Sequence, residues 1–371
     1  MKADKGNNIV ILDKVDYEER MEKSIAEDGF TVLKRSPLNK MVEDARGIIK
    51  EISETFSINK FKLMISNPEV PKMYGLPKIH KPGEKMRKIV SNVNSPLVKV
   101  SKWLVDEMKL YGRFESASVL NTFDFVDKVK EISIEDDESI VSFDVEALFP
   151  SIPVDVAIES LKLHLEAKNV DESHKRVYLR AAKVCMSHNC FVFRDKFYKN
   201  KNGTSMGNPL SPLIAEAFMS KFETDLKKEG LLPRIWLRYV DDVFSVVKKN
   251  SVNEILNTIN NRYNSIKFTY EEEDDNNSIP FLDVLCMKRN KRIEFEVFRK
   301  NTSTDRYITN DSFCSYQHKI AAFHSMAYRL FKINPPTNFG YHFLIYQRSQ
   351  INCGRPWKKK TYTSPTTTTA S

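Results

Sequence analysis

Two apolar stretches near the middle of the chain are separated by a pair of acidic residues. Positions 235–240 and 243–247 are mostly β-branched, aromatic or aliphatic, and Asp241 and Asp242 lie between them. This pattern predicts two strands that meet at a two-residue turn. Such turns favour Asn-Gly or Asp-Gly, because their central residues often need a positive φ angle. Asp-Asp departs from that preference, and we interpret the departure as a sign of function. The alternative is a solvated acidic turn.

A third carboxylate belongs to another predicted strand. Positions 139–145 (SIVSFDV) have the composition of a buried strand that carries Asp144 near its end. If this strand lies beside the predicted hairpin, Asp144, Asp241 and Asp242 converge. Clustered carboxylates repel one another, which raises their pKa values unless cations neutralise them. Divalent metal ions with oxygen ligands meet this need, and two-metal sites of this kind catalyse phosphoryl or nucleotidyl transfer.

The rest of the chain alternates between helical and strand periodicity. Helices are predicted at 17–27, 38–52, 153–168, 173–187, 253–263 and 315–331, and strands at 7–12, 86–90, 191–193, 197–198 and 266–270. Residues 95–130 are predicted to be helical, with Trp103, Leu104, Met108 and Leu110 on the core face. Residues 279–287 are predicted to form one strand that pairs with 293–298 across a basic turn.

The net charge and its distribution along the chain indicate the kind of partner. The 371 residues include 58 Lys and Arg against 49 Asp and Glu, which gives a net charge of +9 and favours a polyanionic partner. Positions 72–113 hold ten basic residues against three acidic ones, and 287–334 hold ten against four. Two basic regions that flank an acidic centre are expected if nucleic acid is gripped on both sides of a metal site. The alternative is two solvated faces.

The spacing of the cysteines and the sequence of the first twelve residues indicate the cellular compartment of the protein. The five cysteines form no C-x-x-C pair, which is typical of reduced thiols in an intracellular protein. The first twelve residues lack the apolar core of a signal peptide, and no segment reaches membrane-spanning length. We therefore expect an intracellular protein of the nucleus or cytoplasm with no membrane partner.

A basic ribbon is predicted at 72–91. Its Gly-Leu-Pro and Lys-Pro-Gly sequences predict loops and a hairpin, from which Lys78, His80, Lys81 and Arg87 project. Cations opposite a carboxylate cluster are suited to hold a triphosphate, and Arg is the better bidentate ligand. A solvated basic hairpin is the alternative interpretation.

A Gly-bearing loop precedes a predicted helix in the block 190–217. Gly207 permits a close backbone approach, and Pro209 and Pro212 bracket the start of the helix. Such a loop can lie under a base pair or a sugar, although ordinary helix entries have the same composition.

Taken in order, these segments resemble the reverse-transcriptase palm. The chain contains a basic ribbon, FDVEALFPSIP, GTSMGNPLSP, YVDD and IPFLDV. It resembles Penelope-like retroelement polymerases in particular, through KADKGN, YGLPKIHKPG followed by MRKIVS, and FRKNTSTDRY. The resemblance covers residues 2–333. It implies an α+β right-hand polymerase fold with fingers, a palm with an antiparallel sheet, and a partial helical thumb.

The resemblance also implies an activity and roles for individual residues. The implied activity is RNA-directed DNA synthesis on an RNA template, from a DNA primer and dNTPs, with two divalent ions at the site, Mg²⁺ or alternatively Mn²⁺. The bulky ring of Phe149 leaves no room for a ribonucleotide 2′-hydroxyl, which favours DNA over RNA synthesis. The implied site comprises metal-binding Asp144, Asp241 and Asp242, the sugar-selecting Phe149, phosphate-binding Lys78 and Arg87, and the positioning loop Gly207, Asn208 and Pro209.

Some positions depart from the family pattern. Lys88 replaces a common Pro, and Asn200 replaces a common Gln. Family members usually continue into a GIY-YIG endonuclease, whereas the residues after 334 are divergent and Thr-rich, so a truncated copy with a disordered tail is expected. The expected divisions are an N-terminal extension with fingers at 1–138, a palm with a fingers insertion at 139–286, a partial thumb at 287–333 and a tail at 334–371.

Two other functions remain open at this stage. A catalytically inactive nucleic-acid-binding remnant of a decayed element is the first, and it is supported by the divergent C-terminal sequence. An RNA-dependent RNA polymerase is the second, and Phe149 opposes it. The sequence makes no prediction about oligomeric state.

Overall fold

The computed structural model describes residues 1–5, 8–79, 83, 85–300 and 307–333. The helices are α1 (Lys14–Glu27), α2 (Leu38–Phe56), α3 (Val98–Leu110), α4 (Thr122–Val129), α5 (Leu148–Ser151), α6 (Val154–Ala167), α7 (Glu172–Ser187), α8 (Ser211–Lys228), α9 (Val252–Arg262) and α10 (Tyr316–Ile333). The strands are β1 (Thr31–Leu33), β2 (Lys72–Pro77), β3 (Met86–Ser91), β4 (Glu138–Val145), β5 (Cys190–Phe193), β6 (Lys196–Lys199), β7 (Ile235–Tyr239), β8 (Asp242–Lys248), β9 (Phe268–Glu272), β10 (Ser278–Phe281), β11 (Val284–Arg289) and β12 (Arg292–Val297).

An antiparallel four-stranded sheet, here called the central sheet, has the order β7-β8-β4-β9. Side chains alternate between its two faces. Val141, Phe143 and Val145 of β4 pack into a core shared with helices α2, α3, α6, α7 and α8. Ile140 of β4 and Phe244 of β8 lie on the opposite face, in a core with α4 and strands β10 to β12. The central sheet is therefore covered on both faces, which explains its nearly continuous apolar sequence.

The helices on the first face have the expected apolar stripes. Along α2 the buried positions are Met41, Ala45, Ile48, Ile49 and Ile52, a spacing that places them on one side of the helix. Helix α8 buries residues on most of its circumference, which fits its position between the central sheet and the other helices.

A five-stranded sheet has the order β1-β6-β5-β2-β3. Strands β2 and β3 form an antiparallel hairpin, and β2 pairs with β5 in parallel at Lys72 and Val192. Met21 and Ile25 of α1 pack on one face of this sheet, against Met86 of β3 and Phe191 of β5. A separate three-stranded sheet has the order β10-β11-β12.

Most predicted elements are confirmed, including the helices at 17–27, 38–52, 153–168, 173–187, 253–263 and 315–331 and the hairpins around Lys85 and Arg194. The strand at 266–270 is shifted by two residues in β9. The long helical segment 95–130 is divided into α3 and α4, and Leu110 is 76% exposed rather than on the core face.

Two strand predictions are wrong. In place of a strand at 7–12, the described residues there form an isolated bridge between Lys2 and Ile9. The segment 279–287 is itself a hairpin, β10 and β11, which turns at Leu282 with φ 54. Its apolar residues face one core, and period-2 alternation by itself does not reveal a reversal of direction.

Several predictions concern residues outside the described part. These are His80, Lys81, one of the five cysteines, Cys353, and the tail 334–371. Cys185, Cys190, Cys286 and Cys314 are free thiols. Within the described ranges, helices long and apolar enough to cross a membrane are absent.

Candidate active site

Two of the predicted carboxylates lie side by side on the central sheet. Asp144, near the end of β4, is directly opposite Asp242, the first residue of β8. Asp144 lies four residues after Ile140 on β4, and Asp242 lies two residues before Phe244 on β8. Residues an even number of positions apart on a strand share a face, so both carboxylates project on the face that carries Ile140 and Phe244. Opposed residues on antiparallel strands have Cβ atoms about 5 Å apart. The structure therefore brings these two side chains together where the apolar core ends.

The third carboxylate belongs to the turn. The turn residues are Val240 and Asp241, because Tyr239 pairs with Asp242. The sequence prediction of an Asp-Asp turn is thus wrong by one residue. Within the described ranges, no set of three or more His, Cys, Asp or Glu side chains forms a group that could hold a metal ion. The predicted convergence of all three side chains is not seen, because neighbours in the chain at a strand end project in different directions.

The turn has an unusual backbone. Val240 has a φ angle of 59, a region that β-branched residues rarely adopt. Two-residue turns with positive φ at the first central position normally place Gly there. Conformations of this kind persist only where the surrounding structure holds them, and they cluster at functional sites.

The electrostatics of the carboxylates favour a bound cation. Burial raises the pKa of the Asp242 carboxyl, and the charge of Asp241 raises it further, while Lys300 and Lys5 act in the opposite direction. The charged form of Asp242 is therefore disfavoured where it lies, and a bound cation would stabilise it. Mg²⁺ takes oxygen ligands, commonly one or two carboxylates completed by substrate phosphates. The chemistry of the donor set fits a divalent ion of this type.

The buried guanidinium of Arg238 contacts the turn through a hydrogen bond. Arg238, in β7, donates from Nε and Nη2 to the carboxylate of Glu223 and from Nη1 to Glu216, and both acids lie on α8. Nη1 also donates to the backbone oxygen of Val240 at 3.2 Å. Burial lowers the pKa of Arg238, but the two carboxylates outweigh this effect and raise it. The ion pairs therefore connect the strained turn to a core helix.

Phe149 and the Gly-bearing loop support each other. Phe149 lies on the short helix α5, and its backbone oxygen accepts from Thr204 N at 2.7 Å. A Cβ atom at Gly203 would lie 2.2 Å from the backbone of Pro150, so this position requires Gly. The contact fixes the loop that continues to Gly207 against the backbone of the half-buried Phe149.

The same loop contacts the β2–β3 hairpin. Met206 O accepts from Val90 N at 2.8 Å, and a Cβ atom at Gly207 would lie 2.3 Å from Val90 O. Asn208 Oδ1 accepts from Leu210 N at 2.9 Å, and Pro209 is half-buried just before α8. The predicted close approach at Gly207 is thus a contact with strand β3.

The two predicted phosphate ligands lie on the hairpin. Lys78 follows β2 directly, and its backbone N–H donates to Lys85 O at 2.8 Å. Arg87 is in β3, and its Nη1 lies 2.8 Å from Asp4 Oδ1. Lys88, the next residue, instead pairs with Asp28 at 2.9 Å and donates to Ser24 on α1.

Comparison with known proteins supports one family. A protein-family model described as "Reverse transcriptase (RNA-dependent DNA polymerase)" matches residues 79–273, which is more than half of the chain. The chain belongs to the reverse transcriptase family. Among curated proteins, no sequence matches it significantly.

Solved structures agree on the architecture. A telomerase of Candida albicans, in complex with a TWJ fragment of telomeric RNA, aligns with a TM-score of 0.57 at 16% identity over 91% of this chain and 56% of that one. An apo telomerase of Candida tropicalis aligns with a TM-score of 0.51 at 13% identity over 84% of this chain and 56% of that one. The chain therefore has the right-hand polymerase fold, and it spans just over half the length of these telomerase chains.

Sequence reasoning missed several residues around this site. Glu216 and Glu223 interrupt an apolar helix at a seven-residue spacing, a signal that indicates two acids on one helix face. Asp4 and Lys5 lie in the KADKGN segment, where no periodic pattern links them to a distant strand. Lys300 follows β12 in a basic region, and its contribution to the reverse transcriptase site depends on the tertiary fold.

Proposed function

We propose that this reverse transcriptase is an RNA-directed DNA polymerase of the Penelope-like type, which adds dNTPs to the 3′-hydroxyl of a DNA primer on an RNA template. The observation that carries the proposal is the opposition of Asp144 and Asp242 on β4 and β8, with Asp241 in the adjoining turn. Carboxylates at this place in a reverse-transcriptase fold are suited to two divalent ions, Mg²⁺ or Mn²⁺. The Penelope-like subtype rests on the sequence segments described above.

The proposed reaction assigns each side chain a task. Asp144, Asp241 and Asp242 would hold the divalent ions, which would supply activation of the primer hydroxyl and charge stabilisation of the leaving pyrophosphate. Arg87 and Lys78 bind the triphosphate and offset its negative charge. The ring of Phe149 excludes a 2′-hydroxyl from the sugar pocket, and Gly207, Asn208 and Pro209 position the template and the nucleotide.

The proposed divisions follow from these tasks. Fingers with an N-terminal extension occupy 1–138, the palm occupies 139–286 and a partial thumb occupies 287–333. The palm–thumb boundary lies within β11, which pairs with β12. The intracellular setting indicated by the cysteines stays a prediction.

Primer extension tests the proposal. The purified chain is supplied with an oligonucleotide-primed RNA template, dNTPs and Mg²⁺, beside a variant with Asp241→Ala and Asp242→Ala. Asp137→Asn serves as the matched control, because Asp137 pairs with Lys248 at the far end of the same two strands. We expect extension by the parent and the control and none by the double variant.

The opposite result has a clear meaning. If neither the parent nor the control extends the primer, while both still bind primer–template, the chain is an inactive nucleic-acid-binding remnant. Incorporation of ribonucleotides at the same rate as deoxynucleotides would instead indicate an RNA-dependent RNA polymerase.

A further inference from the structure

The first residues of the chain are anchored against the β2–β3 hairpin. Asp4 N donates to Pro77 O, at the end of β2, at 3.0 Å. Ala3 is buried and its backbone N–H donates to Asn8 O at 2.9 Å, while Val10 N donates to Met1 O at 2.8 Å. These contacts hold the backbone of Asp4 in a defined place.

The side chain of Asp4 forms an ion pair with Arg87. Its Oδ1 lies 2.8 Å from Arg87 Nη1. The Asp4 side chain is 3% exposed, whereas that of Arg87 is 42% exposed. A buried carboxylate is costly unless it is paired, so Asp4 holds the guanidinium strongly. Because the Arg87 side chain is partly exposed, its guanidinium stays accessible to a ligand while it pairs with Asp4.

The direction of Arg87 is set by strand alternation. Lys88 points to α1, where it pairs with Asp28, so Arg87 and Ile89 point to the opposite face of the hairpin. Ile89 Cγ2 lies on that face, 3.7 Å from the place where Gly207 would carry a Cβ atom. Arg87 therefore shares its face of the hairpin with the Gly207 loop, the proposed nucleotide-positioning element.

The same segment reaches the carboxylates. Lys5, the residue after Asp4, contributes positive charge to the surroundings of Asp242. The first residues therefore contact the hairpin that carries Arg87, and Lys5 lies within electrostatic range of Asp242.

We propose that Asp4 is a positioning residue for the incoming nucleotide: its ion pair holds the Arg87 guanidinium in the orientation that binds the triphosphate. This inference rests on the proposed polymerase function. Asp4 itself does not touch the nucleotide, since its carboxylate would repel phosphate, and it acts only through Arg87. Preorganisation of this kind lowers the cost of ordering a long side chain when the ligand binds.

Steady-state kinetics of the full chain test the role. Asp4→Ala removes the carboxylate, and Asp4→Asn keeps an oxygen that accepts from Arg87. Asp28→Ala is the matched control, since it breaks the equivalent ion pair of Lys88 on the other face of the same strand. We expect Asp4→Ala to raise the KM for dNTP about 10- to 100-fold. Asp4→Asn should recover part of this loss, and Asp28→Ala should leave KM within about twofold of the parent.

A double variant separates positioning from a general structural effect. Arg87→Ala should raise KM, and Asp4→Ala combined with Arg87→Ala should raise it no further, because the two residues act as one unit. The affinity for primer–template, measured by fluorescence anisotropy without dNTP, should stay at the parental level. Additive effects, an unchanged KM, or a KM lowered by Asp4→Ala would overturn the proposal, the last because Asp4 would then block Arg87.

Nucleotide binding is also measured without catalysis. A dideoxy-terminated primer is used, and the dNTP concentration that retains the complex against a DNA trap gives the nucleotide affinity. A parent that binds dNTP without extending primers contradicts the proposed activity, and the Asp4 comparison is then made on this affinity. A parent that extends primers, with Asp4→Ala unchanged in both measurements, contradicts only the positioning role. A parent that neither binds nor extends overturns both.

Discussion

Arg238 and Glu223 form a buried ion pair between strand β7 and helix α8, with side chains that are 1% and 3% exposed. Glu223 also accepts from the backbone N–H of Ala117 and from Trp236 Nε1. The pair therefore lies at the junction of three segments. Arg238 Nη1 also donates to Val240 O, so the same guanidinium links the strained hairpin tip to α8.

Loss of Arg238 should destabilise the protein strongly. Arg238→Met leaves Glu223 buried without its cation, and breaking a buried pair from one side costs about 3–5 kcal/mol. Urea unfolding measures the free energy of unfolding. The combined change of Arg238→Met with Glu223→Gln should recover part of the loss, because Gln is neutral and its single carbonyl oxygen still accepts from one of the two donors, Ala117 N or Trp236 Nε1. Equal stabilities of the single and double variants would contradict the interpretation of Glu223 as an unpaired charge.

The carboxylate of Asp242 should reduce stability when no metal ion is present. Asp242→Asn removes a carboxyl whose pKa is raised first by burial and then by the charge of Asp241, so its charged form is disfavoured in the folded state at pH 7. We expect the free energy of unfolding in EDTA to rise by about 0.2–1 kcal/mol, while primer extension is lost. A fall in stability would show that Asp242 has a structural partner that outweighs the repulsion.

Gly207 should tolerate no side chain. It has φ 109, and an added Cβ atom would lie 2.3 Å from Val90 O on β3. Gly207→Ala is expected to cost about 1–3 kcal/mol and to lower polymerase activity by moving β3. Gly47→Ala is the matched control, since Gly47 lies inside α2 with open space around it, and it should add about 0.5–1 kcal/mol. Thermal unfolding and primer extension of both variants check the contrast.

Phe149 should decide between sugars. Phe149→Ala removes the ring proposed to exclude the 2′-hydroxyl, so the preference for dNTP over rNTP should fall about 10- to 100-fold. Phe149→Tyr keeps the ring and should retain the preference. The ratio of kcat/KM for the two nucleotides measures the effect. An unchanged ratio in Phe149→Ala, in a protein of parental stability, would remove Phe149 from the sugar-selecting role.

Much of the fold was predictable from periodicity. The helices α2, α6, α7 and α8 have apolar stripes or runs long enough to identify without a structure. The strand that carries Asp144 and the two strands around Asp241 were predicted for the same reason. The errors were at chain reversals. The pattern of 279–287 predicts one strand where the structure has the hairpin β10–β11, and the pattern around Asp241 predicts a turn one residue too late. The deciding property in both places is a backbone φ angle, that of Leu282 or of Val240.

The sequence by itself determined the chemical types at the site: paired acids after apolar strands, an aromatic ring five residues after Asp144, and basic ribbons on either side. It also determined the family to which these segments belong. Tertiary structure alone decided which partners meet. The contact of Asp4 with Arg87 spans 83 positions, and Arg238 reaches two acids on a different element. Local periodicity reports burial and direction of side chains within one element, whereas ion pairs between distant elements depend on how those elements pack.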